Sequence, residues 1–505
     1  MELRVVAGDI AAQEVDAIVV NLFEGVKQPG GATGAVDRAL SGALTQLIAD
    51  GDLKGKAGEF VLVHTFGKLP AKRVVVAGLG KPESLDLDKV RKVSAEAARF
   101  LRRHNCKRAA TIVHGAGIGG LDPCDAAHAL AEGAIMGLYR FQRHKRSKPD
   151  EDGELKELLV VEAAPARIKA LEQGIEIGRI IAEATNLCRD LANEGSNNMT
   201  PTHMAEAARE VSERHGLEYR TYDREEMAEM GMGALLAVAQ GSAQPPKFIT
   251  MRYKAAHQKP DRPAIGLLGK GVTFDSGGIS IKQAQGMENM KSDMSGGAAV
   301  IAAMGAIAQL KPPIDVVGIV PAAENMPSAT AYKPGDIVKA SNGKTIEVIN
   351  TDAEGRMLLA DALCWARTQG LSPLVDVATL TGACNVALGP YYSGVLSNDQ
   401  KLADKVLAAS KRAGELMWQL PLTDEFKELV KSDVADVRQT GTSNAGGAIA
   451  AAQMLHEFAE DTPWAHLDVA PTYRSDRDRG PLVKGPTGVA VRTLIALTHL
   501  LAEEE

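Results

Sequence analysis

The chain has 505 residues, 45% of them apolar and 24% charged, which excludes a disordered, fibrous or coiled-coil protein. At roughly 150 residues per domain, that length accommodates about two to four domains. With 57 Lys and Arg against 64 Asp and Glu, the formal charge of -7 argues against a protein whose main task is holding phosphate backbones.

Residues 1–160 alternate short β-branched runs with helical patterns. Strands are predicted at 17–20, 60–64, 73–77, 110–114 and 158–161, and helices near 36–49, 88–104 and 125–141. Strands alternating with helices of this length read as βαβ units around a mostly parallel sheet. Met1-Glu2-Leu3-Arg4 opens a strand-like run rather than a signal segment. A charged stretch at 143–156 reads as a loop, since its basic part is followed at once by an acidic one. Residues 165–191 then carry Ile168, Leu171, Ile175, Ile180, Ala184 and Leu187 at roughly helical spacing, a connecting helix. After Thr200-Pro201 a second α/β region begins, with strands predicted at 247–253, 264–268, 316–320, 345–349 and 374–377. The expected domains are therefore 1–164, a connecting helix 165–192, and 193–505. The Ala/Gly-rich stretch 295–310 is too short to span a bilayer. The five cysteines (Cys106, Cys124, Cys188, Cys364, Cys384) form no CxxC pair. A disulfide framework or thiolate zinc site is thus not expected, and a cytoplasmic chain without a membrane partner is.

Some motifs are incomplete. Gly115-Ala116-Gly117-Ile118-Gly119-Gly120 has the GxGxxG form, but around residue 140 no acid ends a strand to hold a ribose, and Glu162 is the nearest. A Gly-rich strand-to-helix turn is the simpler account. Gly269-Lys270 lacks the Ser or Thr of a phosphate loop, since Gly271 follows. The eleven histidines include no HExxH, and His466 reads as a structural hydrogen-bonder.

Two segments stand apart: GKGVTFDSGGISIKQAQGMENMKSDMSGG at 269–297 and NTDAEGRM at 350–357. They place Asp275, Asp293, Asp352 and Glu354, with Lys270, Lys282 and Arg356, in Gly-rich loops. Asp352 and Glu354 are two apart after a predicted strand, so an extended backbone would point both carboxylates the same way. Like charges held together need cations. A helix predicted at 356–367 would offer its N-terminal amides and Arg356 as an anion pocket beside them. Four carboxylates balance two divalent cations, the composition of a dinuclear hydrolase site, and oxygen ligands favour manganese, magnesium or zinc.

These two segments resemble the signature of the leucyl (cytosol) aminopeptidase family of dinuclear-metal exopeptidases. The likeness continues through ENMPSATAYKPGDI at 324–337, DVATLTGA at 376–383 and KGPTGVAVRTL at 484–494. The resemblance implies an α/β protein of two domains: an N-terminal macro-domain-like domain and a larger C-terminal catalytic domain with a central mixed sheet flanked by helices. It implies that Asp275 and Glu354 bridge two divalent metals (manganese or zinc), that Asp352 completes the more exchangeable site, and that Lys270 and Asp293 complete the tighter one. Lys282 would steady the oxyanion, and Arg356 would hold a bicarbonate. Met290, Thr379, Gly382 and Ala470 would line the pocket for the N-terminal side chain, with leucine-like residues preferred. Peptides are the expected substrates and a homohexamer the expected assembly.

Met357 stands where the family has Leu. Glu194-Gly195-Ser196 replaces a Pro-containing turn, and Pro471 replaces an expected Gly. Two other functions compete: a first domain that binds an ADP-ribose-like nucleotide, suggested by its macro-like pattern and the Gly115–Gly120 turn, and a side role in DNA binding, which the net charge does not support.

Overall fold

A computed structural model describes residues 1–117, 119–146, 153–259, 261–442 and 445–503. Part of the predicted loop at 143–156, residues 147–152, lies outside the described residues, as does Ile118 of the glycine motif. Two compact units emerge: Met1–Glu183 with Asp476–Lys484, and Ala184–Ser475 with Gly485–Glu505.

The first unit is built on β1 (Glu2–Ala7), β2 (Ala17–Phe23), β3 (Phe60–His64), β4 (Arg73–Gly80), β5 (Arg108–Thr111) and β6 (Glu157–Glu162). Their order is β1-β6-β5-β2-β4-β3, all parallel except β3, which pairs antiparallel with β4. Ile18, Val20, Val74 and Val76 pack one face, and Val19, Val75 and Ala77 the other. This is the two-sided burial that makes parallel strands nearly continuous apolar runs. The helix predicted at 36–49 is two, Gly31–Ala39 and Ala43–Asp50, because Ser41 and Gly42 both take positive φ and end the first. The connecting helix runs Ile168–Asn193.

The second unit contains β7 (Glu218–Tyr222), β8 (Lys247–Tyr253), β9 (Ile265–Gly269), β10 (Gly271–Asp275), β11 (Val316–Asn325), β12 (Ile337–Lys339), β13 (Thr345–Glu347), β14 (Leu374–Ala378), β15 (Ser393–Ser397), β16 (Met417–Gln419), β17 (Val437–Arg438) and β18 (Trp464–Asp468). The main sheet runs β16-β15-β18-β14-β9-β11-β8-β7, with β10 also on β11. Its centre (β18, β14, β9, β11, β10) is parallel, while β8, β7 and β15 run against their neighbours. The mixed sheet that the family resemblance implies is therefore present. The strand predicted at 345–349 is only Thr345–Glu347, and it belongs to a separate small sheet, β12-β13-β17.

The helix Ser295–Leu310 lies against this sheet with almost every side chain buried. The run Met287–Leu310 is in fact long and apolar enough to cross a membrane, but 89% of its apolar window is packed inside the fold, so it is a core helix. Its close approach depends on glycines: a Cβ on Gly269 would lie 2.4 Å from the carbonyl oxygen of Gly296. That contact brings the helix start against the carboxyl end of β9, where Lys270 begins the functional loops.

Candidate metal centre

The carboxyl ends of parallel strands are where open α/β sheets gather ligand groups. Lys270 follows β9, Asp275 ends β10, Asn325 ends β11, and Thr379 follows β14. Asp293 closes the short helical turn Met287–Ser292, and Glu354 stands directly before the helix Gly355–Thr368. Carboxylate oxygens of Asp275, Asp293 and Glu354 all lie within 4.8 Å of one another, close enough to share an ion. The three residues are 2%, 7% and 1% exposed.

Two ammonium groups thread these acids. Lys270 Nζ is 2.7 Å from both Asp293 Oδ2 and Glu354 Oε1, and it donates to the Thr379 carbonyl at 3.0 Å. Lys282 Nζ is 2.7 Å from Asp275 Oδ2 and also pairs with Asp352 Oδ1. Four carboxylates against two ammoniums leave a surplus of two negative charges in a largely buried place, an arrangement that is unstable unless further cations are bound. The oxygens agree. Glu354 Oε2 is buried with no partner, and Asp293 Oδ2, Glu354 Oε1 and Asp352 Oδ1 face only the two lysines. Carboxylate oxygens gathered with so few donors suit hard divalent cations.

The titration behaviour has the same origin. Burial, with Lys270 opposing it and Asp275 adding to it, pushes the Asp293 carboxyl up to about 6. Burial and then the neighbouring Asp275 raise Asp352, and raise Glu354 well above the carboxylate range. Burial alone would lower the Lys270 ammonium, but Asp293, Glu354 and Asp275 outweigh it and hold the group charged. Lys282 is held up in the same way, mainly by Asp275.

Asp352 and Glu354 are not presented by the extended geometry expected from the sequence: Asp352 shares Lys282 with Asp275, and Glu354 shares Lys270 with Asp293. Residues 350–353 form a turn closed by the Ala353 amide donating to the Asn350 carbonyl at 3.0 Å, and Glu354 is already helical. The turn is held by Gln439, which lies in none of the quoted motifs, and by Tyr332 of the 324–337 segment. Gln439 Oε1 accepts from the Ile349 and Asn350 amides, its Nε2 donates to the Ala353 carbonyl, and Tyr332 donates its hydroxyl to the Thr351 carbonyl at 2.8 Å. Asn325 donates to both Asp275 Oδ1 (2.8 Å) and the Thr351 carbonyl (2.9 Å), tying the two motifs together.

Arg356 lies in the first turn of the helix, 7% exposed, and burial lowers its guanidinium to about 10. Its Nη1 donates to the Gln439 carbonyl at 2.8 Å, whereas its buried Nε has no partner. An unclaimed guanidinium N–H at a helix N-terminus fits a small oxyanion such as bicarbonate.

Of the residues expected to line a side-chain pocket, Thr379 donates its hydroxyl to Asp293 Oδ1 at 2.7 Å. Met290 sits in the turn that carries Asp293. Gly382 opens the helix Gly382–Leu388, and a Cβ there would meet nothing within 4 Å. Ala470 is brought to this loop by Asp468, whose carboxylate accepts from the amides of Leu380, Thr381 and Ala470 and from the Thr381 hydroxyl. Asp468 is thus a further organiser that the motifs did not reveal. His466 is buried with its Nδ1 2.6 Å from Asp376 Oδ1, and the other Asp376 oxygen accepts from Trp464 Nε1 at 2.6 Å.

Comparison with known proteins agrees with this geometry. Residues 186–495 match the cytosol aminopeptidase family's catalytic domain, and residues 19–148 match its N-terminal domain. The chain is 47% identical over 497 residues to a probable cytosol aminopeptidase of Solibacter usitatus (strain Ellin6076), and 43% identical over 498 residues to one of Alkaliphilus metalliredigens (strain QYMF). Each alignment covers 98% of this chain and 99% of the relative. Among solved structures it is similar to the bottromycin maturation enzyme BotP in complex with Mn, with a TM-score of 0.84 and 34% identity over 97% of this chain and 100% of that one. A buried, cation-deficient carboxylate cluster in a chain that these family descriptions match across most of its length leads to one conclusion: this chain belongs to the cytosol aminopeptidase family, a family of metal-dependent peptidases.

Proposed function

We propose that this aminopeptidase releases leucine and similar apolar residues from peptide N-termini, using two divalent metal ions held by Lys270, Asp275, Asp293, Asp352 and Glu354. The observation that carries the reading is the surplus of two negative charges among four carboxylates, three of them buried within 4.8 Å of one another. Asp275 and Glu354 are read as the shared ligands, Lys270 and Asp293 as completing the tighter position, and Asp352 the more exchangeable one. When bound, the ions polarise the scissile carbonyl and acidify a water. Manganese or zinc suits this donor set, and the Mn-bound BotP structure favours the first.

The chain's own groups divide the remaining work. Lys282, partly exposed and kept cationic by Asp275, is read as the electrostatic partner of the oxyanion that develops on the carbonyl. Arg356, with its unclaimed Nε, is read as holding a bicarbonate that takes and returns a proton. Thr379 fixes the Asp293 carboxylate beside which the substrate's free α-amine would sit, and this restricts cleavage to a chain end. Met290, Thr379, Gly382 and Ala470 are read as the walls of the side-chain pocket. We further propose domain limits of 1–164, 165–192 (the connecting helix) and 193–505, a cytoplasmic location and a homohexameric assembly.

Dialysis against a chelator is expected to abolish hydrolysis of leucine p-nitroanilide, with manganese or zinc restoring it. Undiminished hydrolysis in the metal-stripped sample would refute the proposal. Lys282→Ala is expected to lose at least ~100-fold in kcat, the scale of a missing oxyanion partner, while retaining both metals by elemental analysis. Metal loss in that variant would instead make Lys282 part of the ligand shell.

A further inference from the structure

The first unit contains a cleft of about 520 Å³ that the peptidase reading does not use. That volume is ordinary for a small-molecule site. The cleft opens over the carboxyl ends of β1, β6, β5 and β2. From β2 the chain goes out to the edge strand β3 and back to β4 on one side, then crosses to β5 on the other, so the strand order reverses between β2 and β5. This is the position at which open parallel sheets bind ligands.

Two glycine runs meet at that reversal. Gly30 and Gly31 open the helix Gly31–Ala39, and Gly115, Gly117 and Gly119 follow β5; all five line the cleft. A Cβ on Gly117 would meet nothing within 4 Å, so its backbone borders the open space with no side chain over it. Bare backbone amides beside a helix N-terminus favour an anion, phosphate above all. Asn21, at the end of β2, also lines the cleft, with its Nδ2 3.1 Å from His114 Nδ1. Burial lowers His114 to about 4, so the ring is neutral at physiological pH and Nδ1 can accept from the amide. One Asn21 proton is thereby fixed, and the other is left to donate.

Moving along the sheet away from the glycines, β6 ends at Glu162, which faces Arg167 Nη1 at 3.9 Å, and beyond β1 come Asp9 and Ile10. Three strand spacings separate β1 from β2, about 14 Å at the usual interstrand distance. That span exceeds a lone phosphate and suits a base, a ribose and two phosphates laid end to end. Ile10, Ile112 and Val161 give the far part apolar walls.

We propose that this cleft binds a nucleoside diphosphate. Its phosphates lie across the two glycine runs and Asn21, its ribose hydroxyls donate to Glu162, and its base lies against Ile10 with Asp9 accepting from an exocyclic amine.

The test is calorimetric titration of the full-length protein with ADP, AMP and inorganic pyrophosphate, repeated on Gly117→Glu. The substitution has steric room, lies outside the peptidase machinery, and sets a negative charge where the phosphates would be. ADP is expected to bind, with AMP and pyrophosphate each at least tenfold weaker. Gly117→Glu is expected to lose at least tenfold in ADP affinity while melting temperature and leucine p-nitroanilide hydrolysis stay unchanged. Absence of ADP binding at about 1 mM, ADP affinity unaltered in Gly117→Glu, or pyrophosphate binding as tightly as ADP would each overturn the proposal.

Discussion

Lys270 allows the charge argument to be tested without turnover. Its ammonium lies 2.7 Å from Asp293 Oδ2 and from Glu354 Oε1, and the residue is 3% exposed. Lys270→Met keeps most of the side-chain volume and removes the charge, so above neutrality two buried carboxylates lose the cation they share. Removing one partner of a buried ion pair costs about 3–5 kcal/mol. Spread over the unfolding entropy of the unit that holds the site, that is a fall of about 5–8 °C in melting temperature. The loss must depend on pH in one direction. Asp293 titrates at about 6 in the fold, above its ordinary 3.8, so its contribution to stability is complete below about 4 and declines as pH rises through about 6. Lys270 is what restrains that rise in both Asp293 and Glu354. The methionine variant should therefore unfold only slightly earlier than the parent at pH 5, by a packing term of about 1 kcal/mol or less. At pH 8 it should show the full deficit. The assay is thermal unfolding of chelator-treated parent and variant across pH 5–8. An equal deficit at both ends of the range would mean that Lys270 acts by shape alone, and would refute the reasoning.

Two further substitutions test how the motif is supported. Gly355→Ala would place a Cβ 2.6 Å from Lys270 Cε and 2.7 Å from its Cδ. The lysine must move off its acids, and metal content and hydrolysis should fall together by at least about tenfold, at a stability cost of ~1–3 kcal/mol. Asp361, in the same helix, accepts from the Leu235 amide at 2.9 Å and the Ser341 amide at 2.8 Å, one on each oxygen. Asp361→Asn keeps only one acceptor and should cost about 1–3 kcal/mol in urea unfolding. Burial raises the Asp361 carboxyl to about 7, so the parent loses stability from this group as pH rises from about 4 through about 7. The asparagine has no such titration, and its penalty should be larger at pH 5 than at pH 8.

What the sequence discloses of such a site is set by how locally each part is specified. The acids, lysines and arginine are concentrated in two short Gly-rich segments, and as a group they stand out without any coordinates. The parallel strands of the first unit are equally plain, because burial on both faces writes an uninterrupted apolar run. The supports are a different matter. Gln439 reaches the 349–353 turn from about ninety positions away, Asp468 gathers amides from 380–381 and 470, and Asn325 joins Asp275 to Thr351. Each is one polar side chain whose supporting role exists only once the sheet has brought distant loops together. The turn at 350–353 makes the same point from the other side. Period-two alternation singled out Asp352 and Glu354 for a reason the backbone does not honour: Thr345–Glu347 ends early in a small separate sheet, and both acids leave a turn that Gln439 and Tyr332 hold. A carboxylate pair conspicuous in sequence is therefore good evidence that a cation is needed. How the backbone delivers the pair is decided by hydrogen bonds that only the folded chain can make.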